Sequence, residues 1–121
     1  TGFTTGVPWL YSDPRADDET AQAQVNRPGS WHSRYTDLLA ARRELPDLVN
    51  EPVVWTDGGD GPVIAYRRGP VTVVANTSGH AHQAEIPVGG AVAYVTPGVV
   101  AADEGHLSLA AHGAAILVTP A

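Results

Sequence analysis

From residue 53 onward, short apolar runs alternate with turn residues, and this pattern limits the possible folds more than any other feature of the chain. Gly or Pro separates most of the runs, and apolar positions tend to recur at every second residue, which is typical of half-buried strands. About seven or eight short strands at this spacing predict an antiparallel β-sandwich. The predicted strands cover residues 53–56, 63–68, 71–76, 82–86, 91–95, 99–101, 106–109 and 114–119.

Residues 30–45 have a helical period and predict the main helix. Ser30 suits the N-cap, because its hydroxyl can accept an early backbone N–H. Arg42 and Arg43 lie in the last turn, where positive charge interacts favourably with the helix dipole, and Pro46 disfavours continuation. Helical spacing predicts one broad face made of Trp31, Tyr35, Leu38, Leu39, Arg42 and Leu45.

Residues 1–28 show little regular pattern, apart from a short helical turn that residues 21–25 could form. An irregular stretch of about 28 residues is uncommon inside a compact domain. We therefore expect this segment to be functional or to pack against something else.

Composition excludes several classes of protein. The chain has 121 residues, a net charge of −6, seven basic residues that are all Arg, and no Cys. The negative charge has the wrong sign for a nucleic-acid or anionic-membrane surface. The lack of Cys excludes disulfides and fits a reducing compartment, so we expect a cytoplasmic location. No apolar run approaches the roughly 20 residues of a membrane helix.

Three segments carry a resemblance to a known family. They read Gly2-Phe3-Thr4-Thr5-Gly6-Val7-Pro8-Trp9-Leu10, then Arg27-Pro28-Gly29-Ser30-Trp31, then Tyr35 followed by Leu38-Leu39-Ala40-Ala41-Arg42-Arg43-Glu44-Leu45-Pro46. Their order resembles the last part of the α-glucosidase and oligo-1,6-glucosidase branch of the α-amylase family of glycoside hydrolases. In that branch the first segment is a loop before the last helix of an eight-stranded β/α barrel, and a small all-β domain follows.

The resemblance implies two domains: residues 1–50 as the end of the catalytic barrel, and residues 51–121 as a C-terminal antiparallel β-sandwich. It implies a retaining enzyme that acts on α-glucosides through two carboxyl groups. The family's catalytic carboxylates precede the loop, and their segments do not occur in this chain. We therefore assign no catalytic, substrate-binding or metal residue and no cofactor here. The expected partner is the upstream barrel, with the α-glucoside bound through it, and we expect no nucleic-acid or membrane partner.

Other chemistry has weaker support. His80 and His82, together with His106 and His112, could share a Zn²⁺, but surface histidines near a turn explain them better. The run from Asp57 to Gly61 suggests a hairpin turn rather than a calcium or phosphate loop. None of the serines Ser30, Ser33, Ser78 and Ser108 lies in a nucleophile elbow.

Aromatic side chains leave a different class of function open. Trp9, Trp31, Trp55 and Tyr66 could stack on sugar rings, although Trp31 fits a buried helix–barrel contact better. The alternative function is an independent β-sandwich module that binds carbohydrate or protein, with a metal-binding sandwich as a more distant one. A stripe of exposed aromatics on one sheet face would favour the module, and the sequence pattern of Trp55, Tyr66 and Tyr94 shows no such stripe.

Overall fold

The computed structural model describes residues 5–11, 16–59, 61–101 and 105–120. Its contacts divide the chain into two compact units, Thr1–Leu39 and Ala40–Ala121. The first three residues of the family-like loop, Gly2-Phe3-Thr4, lie outside the described residues. The expected domain boundary at residue 50 refers to a barrel, and it stays a prediction.

Three helices are present among the described residues before residue 45: α1 (Ala16–Glu19), α2 (Ala21–Gln24) and α3 (Trp31–Glu44), which continues from the first unit into the second. The helix predicted over 30–45 is present as α3, and α2 lies within the predicted turn at 21–25. The sequence analysis missed α1, whose four residues are too few to show a period.

Side chains from α2 and the following turn cap α3. The Ser30 hydroxyl accepts the backbone N–H of Ser33 at 3.2 Å, which confirms the predicted N-cap. The Gln24 side-chain oxygen accepts the N–H of His32 at 3.1 Å, and the Ser30 hydroxyl donates to the Gln24 carbonyl at 2.9 Å. The bonds from the N–H groups of His32 and Ser33 satisfy donors that the first turn of a helix leaves without intrahelical partners.

The second unit begins with the end of α3 and a short helix, α4 (Asp47–Asn50), which was not predicted. Eight strands are described after it: β1 (Val54–Thr56), β2 (Val63–Arg68), β3 (Val71–Asn76), β4 (His82–Glu85), β5 (Ala91–Val95), β6 (Val100–Ala101), β7 (His106–Leu109) and β8 (Ala114–Val118). β2, β3, β5 and β7 have the predicted bounds, and each of the others is one residue shorter.

The strands form a five-stranded sheet in the order β1-β2-β3-β8-β5 and a three-stranded sheet in the order β4-β7-β6. Neighbouring described strands are antiparallel throughout. The predicted antiparallel β-architecture is therefore confirmed. The assignment of α3 as the last helix of a barrel stays a prediction.

The main core lies between the two sheets. Alternate residues of the five-stranded sheet point into it, and Ala84, Leu107 and Leu109 complete it from the three-stranded sheet. Leu107, Leu109 and Leu117 are fully inaccessible to solvent. The members from the five-stranded sheet are Val63, Ala65, Val74, Ala115 and Leu117.

The predicted turn at residues 57–61 joins β1 to β2 and also links the two sheets. The Asp57 carboxylate accepts the N–H of Gly59 at 3.0 Å, and Gly59 forms a β-bridge with Ala84 of the three-stranded sheet. Asp60 lies outside the described residues. The hairpin interpretation is correct, while the bridge was not predicted.

Among the described residues, no helix combines the length and the apolar character needed to cross a membrane.

Candidate functional site

The five-stranded sheet has a second apolar face, which points away from the three-stranded sheet and is called the outer face below. Residues directly opposite each other on neighbouring strands lie on the same side of a sheet. The strand register therefore places one residue from each strand in a single row across this face. In spatial order, the row is Trp55, Tyr66, Val73, Ile116 and Tyr94.

A bulge in β5 brings Tyr94 into this row. Val92 lies opposite Leu117, whereas Tyr94 lies opposite Ile116, so two residues of β5 span one step of β8. In a regular strand, Val92 and Tyr94 would point to the same face. The extra residue reverses the alternation and places Tyr94 on the outer face.

One half of the outer face is covered within the second unit. Leu48 of α4 packs with Val71 and Ile116, and their exposed fractions are 8%, 0% and 5%. The Arg68 guanidinium donates to the Leu48 carbonyl and so ties α4 to the sheet. Leu45, Val73, Tyr94 and Val118 surround this cluster.

The other half is open to solvent in this chain. Trp55 is 70% exposed and Ile64 is 47% exposed, although both lie on the same sheet face as the covered cluster. The rings of Trp55 and Tyr66 meet edge to face, with centroids 5.8 Å apart and an interplanar angle of 70°. We call Trp55, Ile64 and Tyr66 the open patch.

The remaining tryptophans lie in the first unit. Trp9 is 92% exposed on the loop at residues 5–11, and Trp31 is 67% exposed at the start of α3. The Arg34 guanidinium lies 5.5 Å from the centre of the Trp31 ring. The contact expected between Trp31 and a barrel stays a prediction, since it concerns residues beyond this chain.

The four histidines are not gathered into a metal site. His82 begins β4 opposite Leu109, whereas His106 begins β7 opposite Glu85 at the other end of the same pair of strands. Throughout the described residues, no group of three or more His, Cys, Asp or Glu could hold a metal ion. The described structure therefore offers no support for zinc at His80 and His82.

Three of the four candidate serines have structural hydrogen-bond partners, and Ser108 lies in β7 opposite Gln83. Ser30 caps α3, and Ser33 donates to the Ser30 carbonyl at 3.0 Å. The Ser78 hydroxyl bonds the Asn76 side-chain oxygen at 3.0 Å and the His80 carbonyl at 3.1 Å. These contacts explain Ser30, Ser33 and Ser78 without catalysis.

A shallow cavity of about 240 Å³ lies in the first unit, beside the cap of α3. Its polar lining includes Gln24 and Ser30, which already bond each other and the helix. The Arg27 guanidinium donates to the Asp18 carbonyl at 3.4 Å. Adjacent residues on a helix do not face each other, so the neighbouring carboxylates Asp18 and Glu19 are not the paired acids of a glycosidase.

Solved structures similar to this chain include a trehalulose synthase and an isomaltulose synthase. The trehalulose synthase MutB from Pseudomonas mesoacidophila MX-45 is 28% identical, with a TM-score of 0.80 over 97% of this chain. A variant of isomaltulose synthase from Erwinia rhapontici NX5 is 26% identical, with a TM-score of 0.80 over 98% of this chain. Both belong to the α-amylase family. The resemblance to the α-amylase family of glycoside hydrolases is thereby confirmed.

The matched region identifies which part of such an enzyme this chain resembles. The chain spans only 23% of the length of each of these two structures, and it corresponds to the C-terminal portion of an α-amylase-family enzyme. No family model and no curated protein matches the chain.

Proposed function

We propose that this chain is the C-terminal portion of a retaining glycoside hydrolase that acts on α-glucosides, and that it supports a catalytic barrel whose carboxylates lie upstream. The observation that carries the proposal is the extent of the structural match. It covers 97–98% of the chain and therefore includes both the helical segment and the two sheets. An independent β-sandwich with an unrelated N-terminal extension would explain a match over the two sheets, but not a match over the helical segment.

The aromatic side chains support the structural role more than the binding module. Tyr94 belongs to a covered cluster, so the row across the outer face is not a continuous exposed stripe. Trp55 and Tyr66 meet at 70°, and their ring faces do not form one flat platform. An aromatic residue that stacks on a sugar ring needs an accessible flat face. Trp55 and Tyr66 are therefore poorly suited to this role.

A second candidate activity is the isomerisation of sucrose. The two reported structures are named trehalulose synthase and isomaltulose synthase, and a MutB variant is described in complex with the substrate sucrose. Sucrose is itself an α-glucoside, so both candidates begin with cleavage of an α-glucosidic bond. A retaining mechanism passes through a glycosyl-enzyme intermediate. The activities differ in whether water or the released fructose attacks that intermediate.

The test compares this chain with a longer polypeptide encoded by the same gene, including the coding sequence directly upstream of Thr1. We expect the 121-residue chain alone to give no turnover of 4-nitrophenyl α-glucoside, because it lacks the family's carboxylate segments. The longer polypeptide should cleave this substrate and contain an Asn-His-Asp segment. Replacing the Asp of that segment by Asn is the control for contaminating activity.

Product analysis with sucrose separates the two candidates. A hydrolase releases glucose and fructose in equal amounts, whereas an isomerase yields trehalulose or isomaltulose. Turnover by the 121-residue chain, or a longer polypeptide without the carboxylate segments, would contradict the proposal.

A further inference from the structure

We propose that the cavity beside the start of α3 binds one pyranose ring, so its ligand is a neutral monosaccharide unit. Arg27 and Arg34 supply the hydrogen-bond donors of this site. Asp18 and Glu19 supply the acceptors, and Trp31 forms an apolar wall. All five residues lie in the first unit. The inference goes beyond the proposed function, which assigns no sugar-binding residue to this chain.

The first argument is a supply of unused hydrogen-bond donors. The Arg34 guanidinium lies 5.5 Å from the centre of the Trp31 ring, and within the described part of the chain it makes no hydrogen bond or ion pair. Arg27 forms one side-chain hydrogen bond, to the Asp18 carbonyl at 3.4 Å. Because a guanidinium carries five N–H donors, both groups keep donors for a ligand in the cavity.

The second argument is the balance of charge around the cavity. The Asp18 and Glu19 carboxylates also have no hydrogen bond or ion pair within the described residues. Two carboxylates and two guanidinium groups leave the lining without net charge. An anion would meet the carboxylates and a cation would meet the guanidinium groups, whereas a sugar hydroxyl can donate to one and accept from the other. The lining therefore favours a neutral polyol.

The third argument is that the end of α3 is already satisfied and does not call for an anion. The Ser30 hydroxyl accepts the N–H of Ser33, and the Gln24 side-chain oxygen accepts the N–H of His32. The Gln24 side-chain nitrogen also donates to the Glu19 carbonyl at 2.8 Å. These bonds join the end of α1, the end of α2 and the start of α3, so the cavity wall is formed before a ligand arrives.

The size of the cavity and its aromatic wall narrow the ligand further. Its volume of about 240 Å³ is below the roughly 300–1,000 Å³ of pockets for drug-sized ligands, which suits one ring better than two. Trp31 is 67% exposed, so its contact with Arg34 leaves most of the indole accessible. A pyranose has an apolar face of C–H groups that matches such a flat surface. Few groups contact the sugar, so we expect a Kd on the order of 1–10 mM.

The experiment measures whether a sugar protects these arginines in the longer polypeptide. Phenylglyoxal labels accessible guanidinium groups, and digestion with mass spectrometry gives a separate rate for each arginine. The probe is methyl β-D-glucopyranoside, which an enzyme for α-glucosides does not cleave. Arg43 is the internal control, because it is exposed on the same helix outside the cavity.

The glucoside at about 50 mM should slow labelling of Arg27 and Arg34 at least about threefold, since it then occupies most of a millimolar site. Arg43 should react at the same rate with and without the sugar. Unchanged rates at Arg27 and Arg34, or equal protection of Arg43, overturn the inference. An Arg34 that does not react even without sugar also overturns it, because the upstream portion then covers the cavity.

Two other ligands have distinct signatures, and each overturns the proposal. Equal protection by glycerol at the same concentration of hydroxyl groups identifies a general effect of polyols. Stronger protection by sodium phosphate than by the glucoside identifies an anion site at the two guanidinium groups.

A variant tests the apolar wall. Trp31→Ala should raise the glucoside concentration that half-protects Arg27 at least about fivefold, because the sugar loses its flat contact. His32→Ala is the matched control, since His32 is the next residue of α3, is exposed and does not line the cavity. The labelling rate of Arg43 without sugar checks that both variants fold alike. Equal half-protection in the two variants overturns the site.

The labelling does not depend on turnover, so the two proposals can fail separately. A polypeptide that is inactive but shows sugar protection at Arg34 supports the pyranose site and refutes the glycosidase. An active polypeptide without this protection supports the glycosidase and refutes the site.

Discussion

Asn76 is a buried polar residue with no part in the proposed chemistry, and its role is to hold two loops together. It ends β3 and is only 3% exposed. Its amide nitrogen donates to the carbonyls of His80 at 2.6 Å and Ala110 at 2.9 Å, while its side-chain oxygen accepts the N–H of Ser78 at 2.9 Å. One side chain thus satisfies backbone groups of two turns, as burial requires.

Replacing Asn76 by Ala should destabilise the second unit by about 2–4 kcal/mol, because several polar groups lose their partner together. Asn76→Asp should also destabilise it, since a carboxylate oxygen would then face the carbonyls of His80 and Ala110. Urea unfolding followed by circular dichroism measures the effect. The exposed Gln83→Ala is the control, and an unchanged midpoint for Asn76→Ala would refute this role.

Gly58 is required for a different reason, because the structure leaves no room for a side chain at this position. A Cβ added at this buried position would lie 2.6 Å from the Val63 carbonyl oxygen, and the Gly58 carbonyl accepts the Glu85 N–H at 3.3 Å. Gly58→Ala should therefore cost about 1–3 kcal/mol through forced backbone movement. Gly79→Ala is the matched control, since a Cβ there meets nothing within 4 Å. Thermal unfolding of both variants checks the difference, and equal Tm values would contradict it.

At the scale of elements, α3 depends on residues that precede it. Its apolar side chains are widely exposed in this chain, with Tyr35 at 63% and Leu39 at 49%. Burial therefore contributes little to holding the N-terminal part of the helix in this chain. The capping bonds from Ser30 and Gln24 stabilise the first turn instead.

Removing the cap should loosen the start of α3. Ser30→Ala should destabilise the first turn by about 1 kcal/mol, which corresponds to roughly fivefold faster amide exchange at Ser33. Ser30→Thr retains the hydroxyl and should restore much of the protection. Amide exchange at Leu107, in the core of the second unit, serves as the internal reference. Unchanged exchange at Ser33 in Ser30→Ala would show that the cap is dispensable.

At the scale of the whole molecule, the five-stranded sheet is the organising layer. One face forms the main core with the three-stranded sheet, and the other packs against Leu45 and Leu48. β3 and β8 lie at its centre with a hydrogen-bonded neighbour on each side. By contrast, α1 and α2 are four residues each and have no buried side chain among those described.

Amide exchange should follow this arrangement. We expect the slowest exchange in β3 and β8, because opening them requires global unfolding, and fast exchange in α1 and α2. Hydrogen exchange with mass spectrometry on the 121-residue chain measures both. Protection of α1 and α2 equal to that of β3 in this chain alone would contradict the expectation that the N-terminal segment needs a further partner.

The sequence alone was sufficient for most of the elements, because local chemistry specifies them. Alternation and β-branched residues marked the strands, and Gly or Pro marked their ends. Ser30 and Pro46 bounded the main helix, and the family resemblance of the N-terminal segments agreed with the later structural match. The short helices α1 and α4 were missed, because four residues carry too little periodicity.

Only the tertiary structure decided how the candidate surface is assembled. Trp55, Tyr66 and Tyr94 come from β1, β2 and β5, and their common row depends on the strand order and on the bulge that turns Tyr94 outward. A simple alternating pattern cannot locate a bulge, since one extra residue reverses every side chain beyond it. Which half of the outer face is covered also depended on α4, whose Leu48 reaches Val71 and Ile116 only after the chain has folded. Long-range pairing, which no local pattern encodes, therefore determined both the aromatic row and its open end.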